Sequence, residues 1–322
     1  MEKESIAIGI DIGATKIYGV LAKKDGTVIA SSCYPTVSEG SIDETLLNLR
    51  KCINDVYQVY NSKAEEYEIK GIGVALAGTS DRSGNILWSS NNPNLRGFNL
   101  KKYLEKFFNL PVTLENDSCS FAISEHFSLL MEGKEVESLI GIIWGSGIGT
   151  GIVMNNFLLR GYNGFGGKLG HIRSSTSDSA PHCRCGMKGC LETYISGIHV
   201  PIRYKEVFKK VYDTENNDTS LTSKDVIELY NKGDTIAKEV IENGLEKFAL
   251  ALSVMISIFS PEYVVFGGSM SLNSNLVEYL ERRVRELIYT PIKSNVNFKI
   301  SKNIVESGAL GAALMVFDSA IK

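Results

Sequence analysis

The opening segment of the chain has the hydrophobic and polar pattern of a β-meander. Three runs rich in Ile and Val are separated by short breaks, and the Lys-Asp-Gly break at residues 24–26 is typical of a tight hairpin. The pattern predicts three strands within residues 5–32, with a glycine-rich turn after the first strand.

A similar unit begins about 130 residues later, at residues 138–160. It again has a strand, a glycine-rich turn and a second strand, and an Asn155-Asn156 turn leads to a third short strand. A repeated unit of this kind indicates two related lobes. Because each glycine-rich turn would present free backbone N–H groups, the repeat predicts a ligand cleft between the lobes.

The remaining pattern alternates between helices and strands, which is typical of the α/β class. The predicted helices are 41–61, about 100–108, 118–132, most of 223–259 and about 305–318, and the predicted strands are 71–78, 111–114 and 261–268. Turn-forming residues predict a loop at 79–99, and the Gly, Ser, His and Cys residues of 161–198 predict an irregular segment. We place an N-terminal α/β lobe at 1–117 and a larger α/β lobe at 118–322. The last helix is a candidate for packing back on the first lobe.

Length and composition favour a folded protein with two lobes. The chain has 322 residues, which is more than one hydrophobic core usually organises, and 43% of them are hydrophobic and 22% charged. With 34 basic and 37 acidic residues the net charge is −3, so no basic excess exists to neutralise nucleic acid. Neither a signal peptide nor a membrane-spanning stretch is expected, which predicts a cytoplasmic location.

Two glycine-rich turns are candidates for binding the phosphates of a nucleotide. The first carries Asp11, Gly13, Thr15 and Lys16, whose carboxylate, hydroxyl and ammonium suit a water-bridged Mg²⁺ and anionic oxygens. The second carries Gly145, Gly147, Gly149 and Thr150. A plain glycine-rich hairpin remains the alternative for the first turn, and its repetition in the second favours phosphate binding.

Two further candidates follow the ends of predicted strands. Asn116-Asp117 follows an apolar strand, and Asp117 is a candidate for the base that accepts a hydroxyl proton in phosphoryl transfer. The alternative is that Asn116 or Asp117 caps the next helix. Gly267-Gly268 ends a buried strand and would let the base or ribose of a nucleotide meet bare backbone, although an ordinary strand-to-helix turn has the same pattern.

A cluster of cysteines predicts a metal site. Cys183, Cys185 and Cys190 lie within eight residues, and His171 precedes them. Three thiolates and one imidazole form a closed tetrahedral ligand set that is typical of structural zinc, and such clustering suits a metal better than disulfides in a reducing compartment. Free thiols, or His182 in place of His171, remain open alternatives.

With these motifs in order, nearly the whole chain resembles the ROK family (repressor, ORF, kinase) of ATP-dependent sugar kinases and related repressors. The resemblance rests on residues 11–16, Glu115-Asn116-Asp117, residues 145–151, Gly170-His171 with the cysteines, Gly267-Gly268 and residues 308–313. It implies a two-lobed actin-like (ribonuclease H-like) ATPase fold with a zinc-binding loop. ATP with Mg²⁺ and a small sugar are the implied ligands, and a homodimer is the usual assembly.

The resemblance also implies roles for single residues. Asp117 would take the proton from the 6-hydroxyl of the sugar, with Asn94, Asn116 and Glu192 nearby. His171 would bind zinc with one ring nitrogen and face the sugar with the other edge. The family has Glu-x-Gly-His where this chain has Lys168-Leu169-Gly170-His171, so an acceptor has become a donor. Lys168 therefore alters the preferred sugar, weakens the activity or faces solvent.

These observations together predict an ATP-dependent hexose 6-kinase. The run at 182–193 is more similar to D-allose kinases than to glucokinases, which favours D-allose slightly over glucose. An N-acetylmannosamine kinase, a fructose kinase and a non-catalytic sugar-binding regulator are the alternatives. Family repressors carry a DNA-binding segment ahead of the first glycine turn, whereas that turn begins at residue 8 here, so no nucleic-acid partner is expected.

Overall fold

The computed structural model describes residues 3–37, 41–89, 91–214, 218, 220–302 and 306–317. Within these residues the strands are β1 Glu4–Ile12, β2 Lys16–Lys23, β3 Val28–Pro35, β4 Tyr67–Leu76, β5 Gly78–Ser80, β6 Ile86–Ser89, β7 Val112–Asn116, β8 Leu139–Trp144, β9 Ile148–Met154, β10 Phe157–Leu158, β11 Tyr263–Gly267 and β12 Asn297–Ile300. The α-helices are α1 Ile42–Asn61, α2 Leu100–Phe108, α3 Asp117–Met131, α4 Glu192–Ile195, α5 His199–Tyr212, α6 Ser223–Asn231, α7 Thr235–Phe259, α8 Ser274–Leu287, α9 Thr290–Lys293 and α10 Ser307–Val316.

The first sheet has the strand order β3-β2-β1-β4-β7. The first three strands are antiparallel, and β4 and β7 continue the sheet in parallel. The predicted meander is therefore confirmed. Buried Ile side chains of β1 pack with Leu49 and Ile53 of α1 in one apolar core, which fixes the edge where β1 and β7 end.

The second sheet has the order β10-β9-β8-β11-β12, which confirms the strands predicted in the repeated unit. Trp144 at the end of β8 is fully buried, and its indole N–H donates to the carbonyl oxygen of Ile195 at 2.7 Å. Its ring packs edge-on against Phe248 of α7, with ring centroids 5.2 Å apart. These contacts hold the start of the second glycine turn in place.

Helix α10 packs against the first sheet at backbone distance. A Cβ atom added at Gly73 would lie 1.7 Å from the carbonyl oxygen of Ala312, and one added at Gly9 would lie 1.9 Å from that of Ala309. Both glycines are required because any side chain would push the helix away. This packing brings the first turn of α10 beside Asp11. A Cβ at Gly308 would be 2.6 Å from an Asp11 carboxylate oxygen.

Two parts of the predicted element pattern are wrong. The predicted loop at 79–99 contains most of a hairpin, in which β5 and β6 pair through Thr79 and Trp88. The segment 161–198 includes the one-turn helix α4. Strands of three or four residues and a single helical turn are too short to produce a periodic pattern.

The chain divides into two compact units that are discontinuous in sequence. One contains residues 1–141, 151–167 and 301–322, and the other contains 142–150 and 168–300. The lobe boundary predicted at residue 117 stays a prediction. No helix in the described ranges is both long and apolar enough to cross a membrane, and the cytoplasmic location also stays a prediction.

Candidate active site

The first glycine turn connects β1 to β2 in the first unit. The N–H of Gly13 donates to the carbonyl oxygen of Lys16 at 3.0 Å, which closes a tight turn. Thr15 and Lys16 are exposed, and the Lys16 ammonium lies 5.4 Å from the centre of the Tyr18 ring. The turn therefore presents a hydroxyl and a cation to solvent, as an anion-binding turn requires.

Asp11 lies at the end of β1, within the charge field of Asp117. Burial, followed by the negative charge of Asp117, raises the pKa of Asp11 to about 7, although Lys16 acts in the opposite direction. Two carboxylates with one nearby ammonium form a site that would gain from a divalent cation. The structure thus brings together the predicted metal-side carboxylate and the predicted base.

Asn116 and Asp117 lie where β7 ends and α3 begins. The Asn116 side chain caps α3, because its Oδ1 accepts from the backbone N–H of Ser118 at 3.2 Å, and its Nδ2 donates to the carbonyl oxygen of Gly78 at 2.9 Å. Asp117 is the first residue of the helix, and its Oδ1 accepts from Ser118 N–H at 2.8 Å. The capping alternative is thus realised at Asn116, while Asp117 stands at the positive end of the helix dipole.

An ion pair next to this strand end was not expected from the sequence. The Nε of Arg160 donates to Oε2 of Glu115 at 2.7 Å, and Oε1 of Glu115 accepts from the backbone N–H of Asn116 at 2.9 Å. Arg160 thereby fixes the backbone immediately before Asp117. The two partners are 45 residues apart, and the sequence gives no periodic signal that joins them.

Asn94 occupies a different environment from the other predicted sugar contacts of this unit. Its Nδ2 donates to the carbonyl oxygen of Val37 at 3.3 Å and to Oγ1 of Thr45 at 3.4 Å. These bonds tie the 3-10 turn at Pro93–Leu95 to the chain around the start of α1. They show a structural use of the Asn94 amide, and a sugar contact by Asn94 stays a prediction.

The four predicted zinc ligands come together in the second unit. The ligand atoms of His171, Cys183, Cys185 and Cys190 all lie within 4.8 Å of one another, and His182 is outside this group. The Cys185 and Cys190 sulfurs are 3.6 Å apart, and Nδ1 of His171 is 3.6 Å from the Cys183 sulfur. Tetrahedral zinc with Zn–S of about 2.3 Å and Zn–N of about 2.0–2.1 Å would place two sulfurs about 3.8 Å apart and sulfur and nitrogen about 3.6 Å apart.

These distances and donor types fit zinc, and His171 is the nitrogen ligand that they favour. Burial raises the pKa of the Cys190 thiol to about 11, so without a cation this thiol would stay protonated. A bound Zn²⁺ would favour the thiolates. Coordination through Nδ1 would leave Nε2 of His171 available for another partner.

Glu192 connects this cluster to the second glycine turn. Its Oε1 is 3.0 Å from the Cys183 sulfur and 3.6 Å from Nδ1 of His171. A Cβ at Gly147 would lie 3.1 Å from the other carboxylate oxygen, Oε2. A predicted sugar contact and a predicted phosphate turn are therefore neighbours, as transfer between a nucleotide and a sugar requires.

The segment before His171 approaches the start of β9 closely. A Cβ at Gly170 would lie 2.2 Å from the carbonyl oxygen of Ile148, so only glycine fits there. Lys168 is half-buried, and within the described part of the chain its ammonium has no hydrogen-bond or ion-pair partner. Its three N–H donors are therefore available to a ligand or to water.

The second glycine turn and Gly267-Gly268 lie side by side. Gly268 has a φ of 86°, and a Cβ there would be 2.5 Å from the carbonyl oxygen of Trp144, at the start of the turn. The N–H of Gly145 donates to the carbonyl oxygen of Gly147 at 3.0 Å. Gly149 is partly exposed, whereas Thr150 is buried and its hydroxyl has no hydrogen-bond partner among the described residues. The structure thus brings the predicted nucleotide-binding glycines close together. It buries the side chain of Thr150, the remaining residue predicted to contact the nucleotide in this turn.

The two five-stranded sheets and the helices between their strands form a mixed α/β fold, which is the actin-like ATPase fold of ROK sugar kinases. The solved ROK hexokinase from Thermus thermophilus has a TM-score of 0.78 to this chain at 26% identity, covering 96% of this chain and 97% of that one. The family model described as "ROK family" matches residues 7–319. The chain therefore belongs to the ROK family.

Curated relatives include both enzymes and regulators. A glucokinase from Thermotoga maritima is 28% identical over 98% of this chain and 94% of its own length. An N-acetyl-D-glucosamine kinase from Aliivibrio salmonicida is 30% identical over 86% of this chain and 88% of its own length. A xylose repressor from Caldicellulosiruptor bescii is 30% identical over 96% of this chain and 77% of its own length.

Proposed function

We propose that this protein is an ATP-dependent sugar kinase that phosphorylates the 6-hydroxyl of a hexose. The observation that carries the proposal is the pairing of Asp117, at the start of α3, with the high-pKa carboxyl of Asp11 beside an exposed turn. The kinase names of two relatives support the same class of reaction. A slight preference for D-allose over glucose rests on the run at 182–193 alone, and the glucokinase relative favours glucose.

Residues of the first unit would supply the base and some of the contacts to the phosphates. Asp117 accepts the proton of the attacking hydroxyl, while Asn116 and Asn94 hydrogen-bond the sugar. Thr15 and Lys16 offer a hydroxyl and an ammonium to the phosphates. Mg²⁺ bound with ATP would offset the negative charge of the transferred group, and Asp11 would hold it through water.

The second unit would supply the remaining contacts. Lys168, His171 and Glu192 contact the sugar, and the nucleotide contacts are Gly145, Gly147, Gly149, Thr150, Gly267 and Gly268. Zinc held by His171 and the three cysteines would fix the loop and orient the His171 ring, so that Nε2 faces the sugar. A homodimer is part of the same proposal.

The direct test is ADP release with Mg·ATP against D-allose, glucose, mannose, fructose and the two N-acetylhexosamines. We expect one of the hexoses to give the highest kcat/KM.

Asp117→Asn should lower kcat about a thousandfold or more, because base catalysis contributes roughly 10²–10⁴-fold, while sugar binding by calorimetry persists. Asp213→Asn, an exposed carboxyl outside the proposed site, is the matched control. Retained turnover in Asp117→Asn would remove Asp117 as the base.

A non-catalytic sugar-binding regulator is the second candidate function. Lys168, which stands where the family has Glu, and the xylose repressor relative favour it. This alternative predicts that a sugar raises the melting temperature while no sugar in the panel releases ADP. A sugar-dependent ADP signal that Asp117→Asn abolishes would exclude it.

A further inference from the structure

A cavity of about 210 Å³ lies beside Asn116 in the first unit, with several charged and polar residues in its lining. It is bounded by β5, the end of β7 and the loop that follows β10, and its lining includes Asp81, Arg82, Glu115, Asn116, Arg160 and Asn163. Whole small-molecule ligands usually occupy roughly 300–1,000 Å³. The cavity therefore suits one substituent of a ligand whose main body lies at Asn116 and Asp117.

The side-chain carboxylates of this cavity already accept hydrogen bonds from the protein. Oδ1 of Asp81 accepts from the backbone N–H groups of Ser83 and Asn85, both at 2.9 Å, and Oδ2 accepts from Nδ2 of Asn85 at 2.7 Å. Both oxygens of Glu115 are likewise occupied, by Arg160 Nε and Asn116 N–H. No carboxylate oxygen of the cavity is left without a donor.

The two arginines of the cavity have guanidinium N–H groups that make no hydrogen bond to the described residues. Arg160 uses only Nε, and within the described ranges its two terminal nitrogens have no partner. The guanidinium of Arg82 is exposed at the tip of the β5–β6 hairpin, and in the same residues it also has no partner. The formal charges of Asp81, Arg82, Glu115 and Arg160 cancel, so selectivity would arise from these unused N–H groups.

The balance of donors and acceptors indicates what the cavity binds. A neutral hydroxyl offers a single oxygen to these N–H groups and carries no charge to pair with the guanidinium groups. A carboxylate or phosphate only accepts, and two guanidinium groups match such a group bidentately. We propose that the preferred substrate is a hexose with an anionic substituent, and that Arg82 and Arg160 bind this substituent in the cavity.

Lys168 gives independent support from the second unit. At a position where the resemblance places a sugar-binding carboxylate, this chain has an ammonium that contacts no partner among the described residues. This change replaces an acceptor by a donor, and a hydrogen bond from an ammonium to an anionic acceptor is stronger than one to a neutral hydroxyl. The proposal rests on the proposed kinase activity, since it names the substrate class of that site.

The test compares anionic sugars that keep a free 6-hydroxyl with neutral hexoses. The anionic probes are glucose 1-phosphate for a phosphate and D-gluconate and muramic acid for a carboxylate, and the neutral probes are glucose, mannose and D-allose. ADP release gives kcat/KM for each sugar. We expect at least one anionic probe to exceed every neutral hexose, and the better of the phosphate and carboxylate arms identifies the anion.

Variants connect this preference to the cavity. Arg82→Gln should lower the ratio of anionic to neutral kcat/KM about tenfold or more, as expected for a lost hydrogen bond to a charged group. Arg160→Lys keeps the charge but loses the planar guanidinium that can bind an anion bidentately, so it should lower the same ratio. Lys224→Gln, which removes an exposed cation on α6, is the matched control and should leave the ratio unchanged.

Each outcome decides between the two proposals. If a neutral hexose gives the highest kcat/KM, or if Arg82→Gln leaves the ratio unchanged, the anionic subsite is overturned and the kinase stands. If no sugar releases ADP, titration calorimetry with the same probes decides whether the anionic subsite exists. Binding of an anionic probe that Arg82→Gln weakens would keep the subsite and overturn the kinase, and absence of binding would overturn both.

Discussion

Asp11 shows how one side chain couples the stability of this protein to its proposed chemistry. Its carboxyl is placed by β1, approached by the first turn of α10 and exposed to the charge of Asp117. Such an arrangement opposes ionisation, and a bound cation would favour it. A cation bound here would therefore favour the ionised form of Asp11.

This coupling predicts a pH-dependent difference between the wild type and Asp11→Asn. The pKa of Asp11 is about 7 in the folded protein, against an ordinary value of 3.8. Its contribution to the free energy of unfolding is therefore fully present below the ordinary value and is lost as the pH rises through about 7, by up to roughly 1.4 kcal/mol per pH unit. Urea unfolding without Mg²⁺, at about pH 5 and about pH 8, should show the wild type losing stability relative to Asp11→Asn. Parallel curves would contradict the raised pKa.

Lys168 carries a second prediction at the residue scale. Lys168→Glu restores the acceptor that the family resemblance implies, so kcat/KM should shift about tenfold or more from anionic toward neutral sugars. Lys168→Met, which removes the charge without adding an acceptor, separates loss of the cation from gain of the carboxylate. An unchanged substrate profile in both variants would mean that Lys168 faces solvent.

Single residues differ in how far the sequence predicts them. His171 and the three cysteines could be found because metal ligands in a short loop have a recognisable spacing. The sequence left His171 and His182 as alternatives, and the distances to the cysteine sulfurs favour His171. The pairing of Arg160 with Glu115 could not be found, because it depends on where two separate segments meet in the fold.

At the scale of elements, glycines determine how α10 lies on the first sheet. Gly9 and Gly73 of β1 and β4 face backbone carbonyls of the helix at distances that exclude any side chain. Gly311 of the helix has the same relation to the backbone of Ser120 in α3. The small-residue pattern of α10 therefore reflects contact on two sides.

Gly73→Ala tests this packing. The added methyl group would collide with the Ala312 carbonyl, so we expect a loss of roughly 3 kcal/mol in the free energy of unfolding, or failure to fold. Gly97→Ala is the control, because a Cβ at Gly97 meets no atom of the described residues within 4 Å and its φ of 78° is what opposes the change. It should cost roughly 1 kcal/mol. Equal losses in the two variants by urea unfolding would argue against the close contact.

The elements that the sequence predicted well are those with long, periodic patterns. Helix α1 begins at Ile42 behind the Ser41 cap, close to the predicted start, and the predicted helix at 100–108 coincides with α2. The β5–β6 hairpin was missed because Gly, Ser and Asn residues surround two very short strands. Arg96, which follows the hairpin in sequence, stacks on Trp88 of β6 at 3.7 Å from the ring centre, a contact that no periodic pattern indicates.

At the scale of the whole molecule, each compact unit contains segments that are far apart in sequence. The first unit includes residues 301–322 and 151–167 as well as the N-terminal portion. An internal repeat can indicate two units, but it cannot assign α10, since that depends on the backbone contacts at Gly9 and Gly73. The zinc loop lies wholly within the second unit.

We expect the protein to contain zinc, and we expect removal of the zinc to change both its stability and its sugar binding. Elemental analysis should find about one zinc per chain, and Cys185→Ser should lower this content, whereas Cys33→Ser, an exposed cysteine outside the cluster, should not. Chelation should lower the melting temperature and weaken sugar binding together, because the same ion would order the loop and orient the His171 ring. A zinc-free protein with an unchanged melting temperature would refute the site. Lower stability with unchanged sugar affinity would keep the zinc and remove His171 from the sugar contacts.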